Sequence, residues 1–154
     1  RVVTGVQTCA LPIYTSRDRE IAFSAMEKVG IADLAEKPLY SLSRGMRQNA
    51  YIAMALAQDT DYILLDEPTT YLDIAHQLDL MRILRELANS GKGIVTVMHD
   101  LPLAFDFSDT LAVINNGMIA TQATPGEIID SHITQDIFGV KIKQTQEGKC
   151  LYEY

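Results

Sequence analysis

The sequence has no tryptophan, two cysteines and no apolar run long enough to cross a membrane. Cys9 and Cys150 are far apart and form neither a zinc-binding nor a redox spacing, so a reducing compartment is expected. The strongest apolar runs, IAMALA and YILL, are far shorter than the roughly 18 residues of a transmembrane helix. A role at a membrane would therefore depend on a partner protein.

Positive charge is scarce as well. There are 13 lysines and arginines against 20 aspartates and glutamates, which gives a net charge of −7. This balance argues against a nucleic-acid-binding protein, because affinity for a phosphate backbone requires clustered positive charge. It leaves nucleotide binding open, since that uses a few local groups. The 47% hydrophobic fraction and the length of 154 residues are typical of one globular domain.

Predicted strands and helices alternate along the chain. Helical spacing of apolar residues marks 18–30, 43–61 and 71–93, and short apolar runs mark buried strands in YILLDEP and GIVTVMHD. The sequence NNG at 115–117 predicts a hairpin turn. This alternation predicts an α/β domain with a mainly parallel sheet flanked by helices.

Titratable side chains follow both buried strands. Asp66 and Glu67 end the first strand, and His99 and Asp100 end the second. In parallel sheets the carboxyl ends of the strands face the ligand crevice, so these residues should lie at one edge. An aspartate there can hold Mg²⁺ through its water shell, and an adjacent glutamate can orient or deprotonate a water. Taken alone, the acidic pair is equally consistent with capping of the next turn.

The stretch LSRGMRQ precedes and enters the second predicted helix. Ser43 is placed to cap that helix, and Gly45 permits a close approach by another group. Free N–H groups and the helix dipole make such an N-terminus an anion site. For a single S-x-G, however, an ordinary serine cap is the better interpretation.

The order and spacing of these segments are more specific than any one of them. LSRGMRQNAYIAMALAQDTDYILLDEPTTYLDIAHQ, followed by IVTVMHD, resembles the nucleotide-binding domain of ATP-binding cassette (ABC) transporters. The resemblance places the signature motif at 42–48, Walker B at 62–67, the D-loop at 71–73 and the switch histidine at His99. YIAMALAQ and YILLDEPTTYLDIAHQ look most like importers of iron-siderophore, haem and cobalamin complexes.

The resemblance implies an ATPase with ATP and Mg²⁺ as cofactors. Asp66 would hold the Mg²⁺ water shell, Glu67 would polarise the attacking water and His99 would contact the γ-phosphate. Implied partners are transmembrane permease subunits and, indirectly, a substrate-binding protein, with no nucleic acid. The protein would then lie peripherally at the cytoplasmic face of the plasma membrane.

The resemblance also implies a head-to-tail dimer of nucleotide-binding subunits with two shared sites. Ser43, Arg44 and Gly45 would contact the ATP of the opposing subunit, and Asp73 would lie at the dimer interface. The sequence departs from the family's usual Leu-Ser-Gly-Gly-Gln at Arg44 and Met46. Arg44 gives up the backbone freedom of a glycine but adds a cation near a phosphate.

One expected motif is missing. The P-loop pattern G-x-x-x-x-G-K-[ST] does not occur in the 154 residues. The sequence is therefore expected to be the C-terminal part of the domain, a partial P-loop NTPase without the Walker A half and inactive alone. Its expected regions are a helical and signature region at 14–58, a Walker B to switch-histidine core at 59–108, and a C-terminal hairpin and helices at 109–154. Without a P-loop strand, GIVTVM is expected to present an open apolar edge.

Residues 1–13, RVVTGVQTCALPI, do not fit the helical sequence expected before the signature motif. Residues 3–13 match the translation of a common short-read sequencing adapter, so this segment is predicted to be non-native, with an edge strand as the alternative.

Two other functions stay open beside an importer ATPase. One is a non-catalytic module that supplies only a signature half-site to a partner, and the other is a soluble ABC ATPase outside transport.

Overall fold

The computed structural model describes residues 15–153, which form a mixed α/β fold. The predicted non-native segment at 1–13 lies outside these residues. Two short 3₁₀ turns, Ala32–Leu34 and Leu39–Ser41, connect the first two helices. The helices are α1 (Ser16–Lys28), α2 (Arg44–Ala57), α3 (Ile74–Asn89), α4 (Leu101–Phe107), α5 (Pro125–Ser131) and α6 (Ile133–Phe138). The strands are β1 (Tyr62–Asp66), β2 (Gly93–Val97), β3 (Leu111–Asn115), β4 (Met118–Ala123), β5 (Lys141–Gln144) and β6 (Cys150–Glu153).

Side-chain caps explain where five of the six helices in the described part of the chain begin. Each cap accepts a hydrogen bond from a backbone N–H of the first turn, which has no partner within the helix. At α1 and α5 an acidic residue three positions later bonds back to the cap and completes a capping box. The caps are Thr15, Ser43, Asp73, Asp100 and Thr124.

Within residues 15–153 the six strands form three separate pairs. β1 and β2 are parallel, in register from Tyr62 with Gly93 to Asp66 with Val97. β3–β4 and β5–β6 are antiparallel hairpins. The turn predicted at 115–117 is confirmed, because Asn116 and Gly117 both adopt the positive φ that a tight hairpin requires. Parallel pairing in the described residues is thus confined to one pair, and the sheet is less extensive than the sequence pattern predicts.

The parallel pair has one buried and one open face. Ile63 is 5% exposed and packs into the core on the inner face. On the outer face Leu64 is 74% exposed and Val95 57% exposed. Across residues 15–153, β2 pairs with β1 alone. The prediction that GIVTVM presents an open apolar edge is therefore confirmed for the described chain.

Two clusters of buried side chains stabilise the part of the fold that the structure describes. The first lies between α1, α2, α3 and the inner face of β1–β2, and includes Ile52 and Leu84. The second lies under the hairpins and is built from Phe105, Val113, Ile128, Ile142 and Cys150. Helix α4 joins the clusters, because its Leu103 belongs to the first and its Phe105 to the second. Among the described helices, none combines the length and the apolar character that crossing a membrane would require.

Candidate functional site

The carboxyl ends of β1 and β2 meet at one edge because the strands are parallel and in register. Glu67 follows β1 directly, and its backbone N–H donates to the carbonyl oxygen of Val97, the last residue of β2, at 3.0 Å. Glu67 adopts a φ of +45°, a left-handed conformation that is costly for a residue with a side chain. The fold therefore holds the Glu67 side chain in a defined place at the strand ends.

The Glu67 carboxylate is held from both sides. His99 Nε2 lies 2.6 Å from Glu67 Oε1, and the Thr70 hydroxyl donates to Glu67 Oε2 at 3.1 Å. These two hydrogen bonds, first that of His99 and then that of Thr70, lower the pKa of Glu67 below its ordinary value of 4.5. Both side chains are accessible, since 41% of Glu67 and 76% of His99 is exposed. The prediction that Glu67 and His99 meet at one edge is confirmed.

The neighbouring acids, Asp66 and Asp100, do not take part in the contact between Glu67 and His99. Asp66 lies on the open face of β1 with Leu64, and its side chain is exposed. Asp100 instead caps α4, where its carboxylate accepts the N–H of Leu103 at 3.0 Å. Of the four acidic and imidazole residues predicted at this edge, two form a contact and one has a structural role.

No group of three or more metal-ligating side chains exists within 15–153. This rules out a cage of protein ligands in that part of the chain. It does not conflict with Mg²⁺, which keeps several waters and is commonly held by one or two carboxylates together with substrate phosphates. The exposed carboxylate of Asp66 at the strand end fits such a donor set.

The start of α2 brings together the predicted signature residues. The Ser43 hydroxyl accepts the N–H of Met46 at 3.3 Å, so the predicted cap is confirmed. The Arg44 guanidinium carbon lies 4.2 Å from the centroid of the Tyr71 ring. A Cβ atom at Gly45 would stand 3.3 Å from the carbonyl oxygen of Tyr71. The group that approaches Gly45 is therefore the loop containing Tyr71.

The segment 67–73, here called the β1–α3 loop, connects both parts of the site. It starts at Glu67 beside His99 and passes the start of α2 at Tyr71.

Two glutamines fix the backbone of the β1–α3 loop. Gln48 Nε2 donates to the Pro68 carbonyl at 3.2 Å, and Gln77 Nε2 donates to the Thr69 and Leu72 carbonyls at 3.2 and 3.1 Å. Pro68 is fully buried. Sequence reasoning missed Gln48, Gln77 and Thr70 as positioning residues, because polar side-chain contacts of irregular spacing leave no periodic pattern.

Asp73 ends the loop and caps α3. Its carboxylate accepts the N–H of His76 at 3.0 Å and contacts His76 Nδ1 at 2.8 Å. The backbone bond and then the side-chain bond of His76 lower the pKa of Asp73 below its ordinary value of 3.8. In the described chain this carboxylate is a helix cap, and its place at a dimer interface stays a prediction.

The chain is similar to known proteins in sequence and in fold. Residues 4–70 match the family model described as ABC transporter. A solved structure described as a metal-chelate type ABC transporter in an inward-facing conformation superposes with a TM-score of 0.76 and 26% identity, over 96% of this chain and 62% of that chain. The dimeric structure of a bacterial ABC transporter cassette gives a TM-score of 0.68 at 24% identity, over 78% of this chain and 53% of that chain. The fold is that of an ABC-type ATP-binding domain, in partial form.

Three curated proteins are similar to the chain in sequence. The chain is 43% identical over 126 residues to the petrobactin import ATP-binding protein FpuD of Bacillus anthracis, covering 81% of this chain and 46% of the relative. It is 42% identical over 135 residues to the ferric enterobactin transport ATP-binding protein FepC of Escherichia coli, covering 84% and 49%. It is 43% identical over 140 residues to the iron(3+)-hydroxamate import ATP-binding protein FhuC of Bacillus subtilis, covering 87% and 52%. The chain thus spans about half the length of these three curated relatives, whose names state import of petrobactin, transport of ferric enterobactin and import of iron(3+)-hydroxamate.

Proposed function

We propose that this chain is part of the ATP-binding and ATP-hydrolysing subunit of an ABC importer for iron(III)-siderophore or related chelates. The observation that carries the proposal is the pairing of Glu67 with His99 at 2.6 Å, at the carboxyl ends of two parallel strands. The proposed cargo follows from the relatives, whose names state import of petrobactin and iron(3+)-hydroxamate and transport of ferric enterobactin.

The proposed chemistry uses the side chains at the strand ends. With its pKa lowered, Glu67 is ionised at neutral pH and can accept a hydrogen bond from an attacking water. His99 holds that carboxylate from the accessible side and would contact the γ-phosphate of a bound ATP. Asp66 would hold Mg²⁺ through waters, and the ion would supply charge neutralisation of the phosphates.

The proposed ATP sites are shared between two copies arranged head to tail. Ser43 and Gly45 would face the ATP of the opposing subunit, because the start of α2 is accessible and a helix N-terminus attracts anions. Asp73 would lie near the dimer interface. The whole assembly would include membrane-spanning permease subunits, a substrate-binding protein acting through them, and a peripheral position at the cytoplasmic face of the plasma membrane.

The P-loop required for this function would come from the rest of the polypeptide, since the relatives are about twice as long as the matched region. The three predicted regions, 14–58, 59–108 and 109–154, and the non-native origin of 1–13 belong to the same proposal. The family model begins its match at Thr4, inside that segment, so sequencing of the locus is the direct test. A genomic sequence that runs through 3–13 unchanged would contradict the adapter hypothesis.

Steady-state ATP hydrolysis by the full-length protein that contains this sequence tests the function. Glu67→Gln should lower kcat by about 10²–10⁴-fold, the range typical of loss of an acid–base group. Glu86→Gln is the matched control, because Glu86 is an exposed glutamate on α3 away from the strand ends. Equal activity in the Glu67→Gln and wild-type proteins would overturn the proposal.

A non-catalytic module is the second candidate, favoured by the presence of the signature residues in a sequence without a P-loop pattern. Such a module would bind no ATP of its own and would stimulate hydrolysis only when a partner supplies the P-loop. Equilibrium binding of ATP to the full-length protein alone separates the two functions. Binding that is abolished by mutation of an upstream P-loop lysine favours the importer ATPase.

A further inference from the structure

Arg44 is stacked on an aromatic ring. Its guanidinium carbon lies 4.2 Å from the centroid of the Tyr71 ring, well within the roughly 6 Å limit of a cation–π contact. No ion pair involves Arg44 in the described chain. The ring of Tyr71 is therefore the described partner of this guanidinium, and it belongs to the β1–α3 loop.

Tyr71 has a backbone conformation that needs support. Its φ of +72° lies in the left-handed region, which is unfavourable for a bulky residue. One contact and two features of its surroundings favour this conformation. Arg44 covers its ring, Gly45 leaves room for its carbonyl oxygen, and the next residue, Leu72, is buried at 9% exposure.

We propose that Arg44 is a positioning residue that acts through Tyr71. By stacking on the ring it holds the β1–α3 loop against the start of α2, and so fixes the loop that carries Glu67 at one end and Asp73 at the other. The arrangement of Arg44, Gly45 and Tyr71 is called the Arg44 clasp below. For its effect on hydrolysis the inference rests on the proposed ATPase function, whereas the clasp itself can be measured without ATP.

The clasp gives Arg44 a role different from direct phosphate contact. If Arg44 contacted a phosphate directly, its substitution would have the same effect with or without the Tyr71 ring, because the partner of Arg44 would be the anion. A positioning residue would lose its effect once the ring is removed. The two roles therefore make opposite predictions for Arg44 substitutions in a background without the Tyr71 ring.

Amide hydrogen exchange of the full-length protein without nucleotide tests the clasp directly. The N–H groups of Thr70 and Leu72 donate to the carbonyls of Glu67 and Thr69 at 3.1 and 3.2 Å, and report on the loop. Arg44→Met and Tyr71→Leu should each raise their exchange rates about two- to five-fold, the factor expected from an exposed cation–π contact. Tyr71→Phe keeps the ring and should retain wild-type exchange.

Two controls match the chemistry elsewhere on the surface. Arg82→Met removes an exposed arginine of α3 that pairs with Asp79, and Tyr40→Leu removes a tyrosine that is 83% exposed. Neither should change exchange at Thr70 or Leu72. Unchanged exchange in Arg44→Met would overturn the clasp.

ATP hydrolysis by the same variants separates positioning from phosphate contact. A positioning role predicts that Arg44→Met and Tyr71→Leu lower kcat about two- to five-fold with KM unchanged, and that the double variant is no worse than either single variant. An increase in KM caused by Arg44→Met both in the wild-type protein and in the Tyr71→Leu background would overturn the proposal in favour of direct phosphate contact. Faster exchange in the Arg44→Met variant, together with a wild-type protein that hydrolyses no ATP, would support the clasp and contradict the proposed function instead.

Discussion

His99 Nε2 lies 2.6 Å from Glu67 Oε1, although 32 positions separate the two residues in the sequence. The contact exists because β1 and β2 run parallel and end together, so that the residues following each strand meet. Thr70 completes the arrangement from the opposite oxygen at 3.1 Å. A carboxylate with two fixed hydrogen bonds and an accessible surface is suited to orienting a water molecule.

The first prediction concerns the ionisation of Glu67. Because the His99 hydrogen bond is the largest cause of its lowered pKa, His99→Ala should raise the pKa of Glu67 towards the ordinary value of 4.5. NMR titration of the side-chain carboxyl in the full-length protein measures this. His132→Ala is the matched control, since His132 contacts the backbone carbonyl of Asp130 and no part of the site. An unchanged titration of Glu67 in His99→Ala would contradict the assignment.

The lowered pKa of Glu67 also makes the stability of the folded protein depend on pH. A carboxyl whose pKa is lower in the folded than in the unfolded state contributes stability above its unfolded pKa, and that contribution is lost as the pH falls through the folded pKa. The Glu67 contribution should therefore be complete at neutral pH and decline below about pH 4.5, the unfolded value. Denaturant unfolding of wild-type and His99→Ala proteins should differ more at pH 6 than at pH 3.

The second prediction concerns the close approach at Gly45. Its missing Cβ would stand 3.3 Å from the Tyr71 carbonyl oxygen and 3.7 Å from Leu72 Cδ2. Gly45→Ala should therefore be less stable than the matched variant Gly126→Ala by about 1–2 kcal/mol, the cost of mild overpacking. Gly126 is also helical, and nothing lies within 4 Å of its Cβ position. Equal free energies of unfolding for the two variants would show that the loop moves away freely.

Local sequence signals account for much of the fold and for part of the site. The cap at Ser43 and the turn at Asn116 and Gly117 depend on neighbouring residues, and the structure has them as the sequence indicates. The meeting of Glu67 and His99 was predictable because both follow short β-branched or apolar runs that suit a parallel pair.

The remaining contacts depend on distant parts of the chain. Sequence reasoning did not predict that Arg44 stacks on Tyr71, because the two segments come together only when α2 packs beside the β1–α3 loop. The exposed outer face of β2 was also beyond local pattern, since β2 has the composition of a strand that is buried on both faces. Tertiary contacts, and not propensity, decide both features.

The third prediction concerns the open face of β1–β2. Leu64 and Val95 are 74% and 57% exposed and adjacent in register, which makes this face an association surface. The 154-residue chain expressed alone should self-associate, and Leu64→Lys with Val95→Lys should shift sedimentation velocity profiles towards the monomer. The control pair Ile114→Lys with Ile119→Lys carries the same charge on the β3–β4 hairpin, where both isoleucines are also exposed. Equal shifts from both pairs would indicate a general charge effect.

The fourth prediction concerns the second core cluster. Ile128 is 1% exposed among Phe105, Val113 and Ile142, so Ile128→Ala should lower the free energy of unfolding by about 2–5 kcal/mol. Ile119→Ala is the matched control, because Ile119 is 62% exposed, and it should cost less than about 1 kcal/mol.

Helix α4 should make the two core clusters unfold together. Helix α4 contributes Leu103 to one cluster and Phe105 to the other, so loss of packing around Ile128 should weaken both clusters together. In denaturant unfolding of the full-length Ile128→Ala protein, followed by far-ultraviolet circular dichroism, the midpoint should therefore move to a lower denaturant concentration. The two clusters should unfold in a single transition. Hydrogen exchange resolves that region: amides of α5 near Ile128 and of α3 near Leu84 should lose protection in parallel. Loss confined to α5 would mean that α4 separates the two clusters, and that the hairpins can unfold while the edge bearing Glu67 and His99 stays intact.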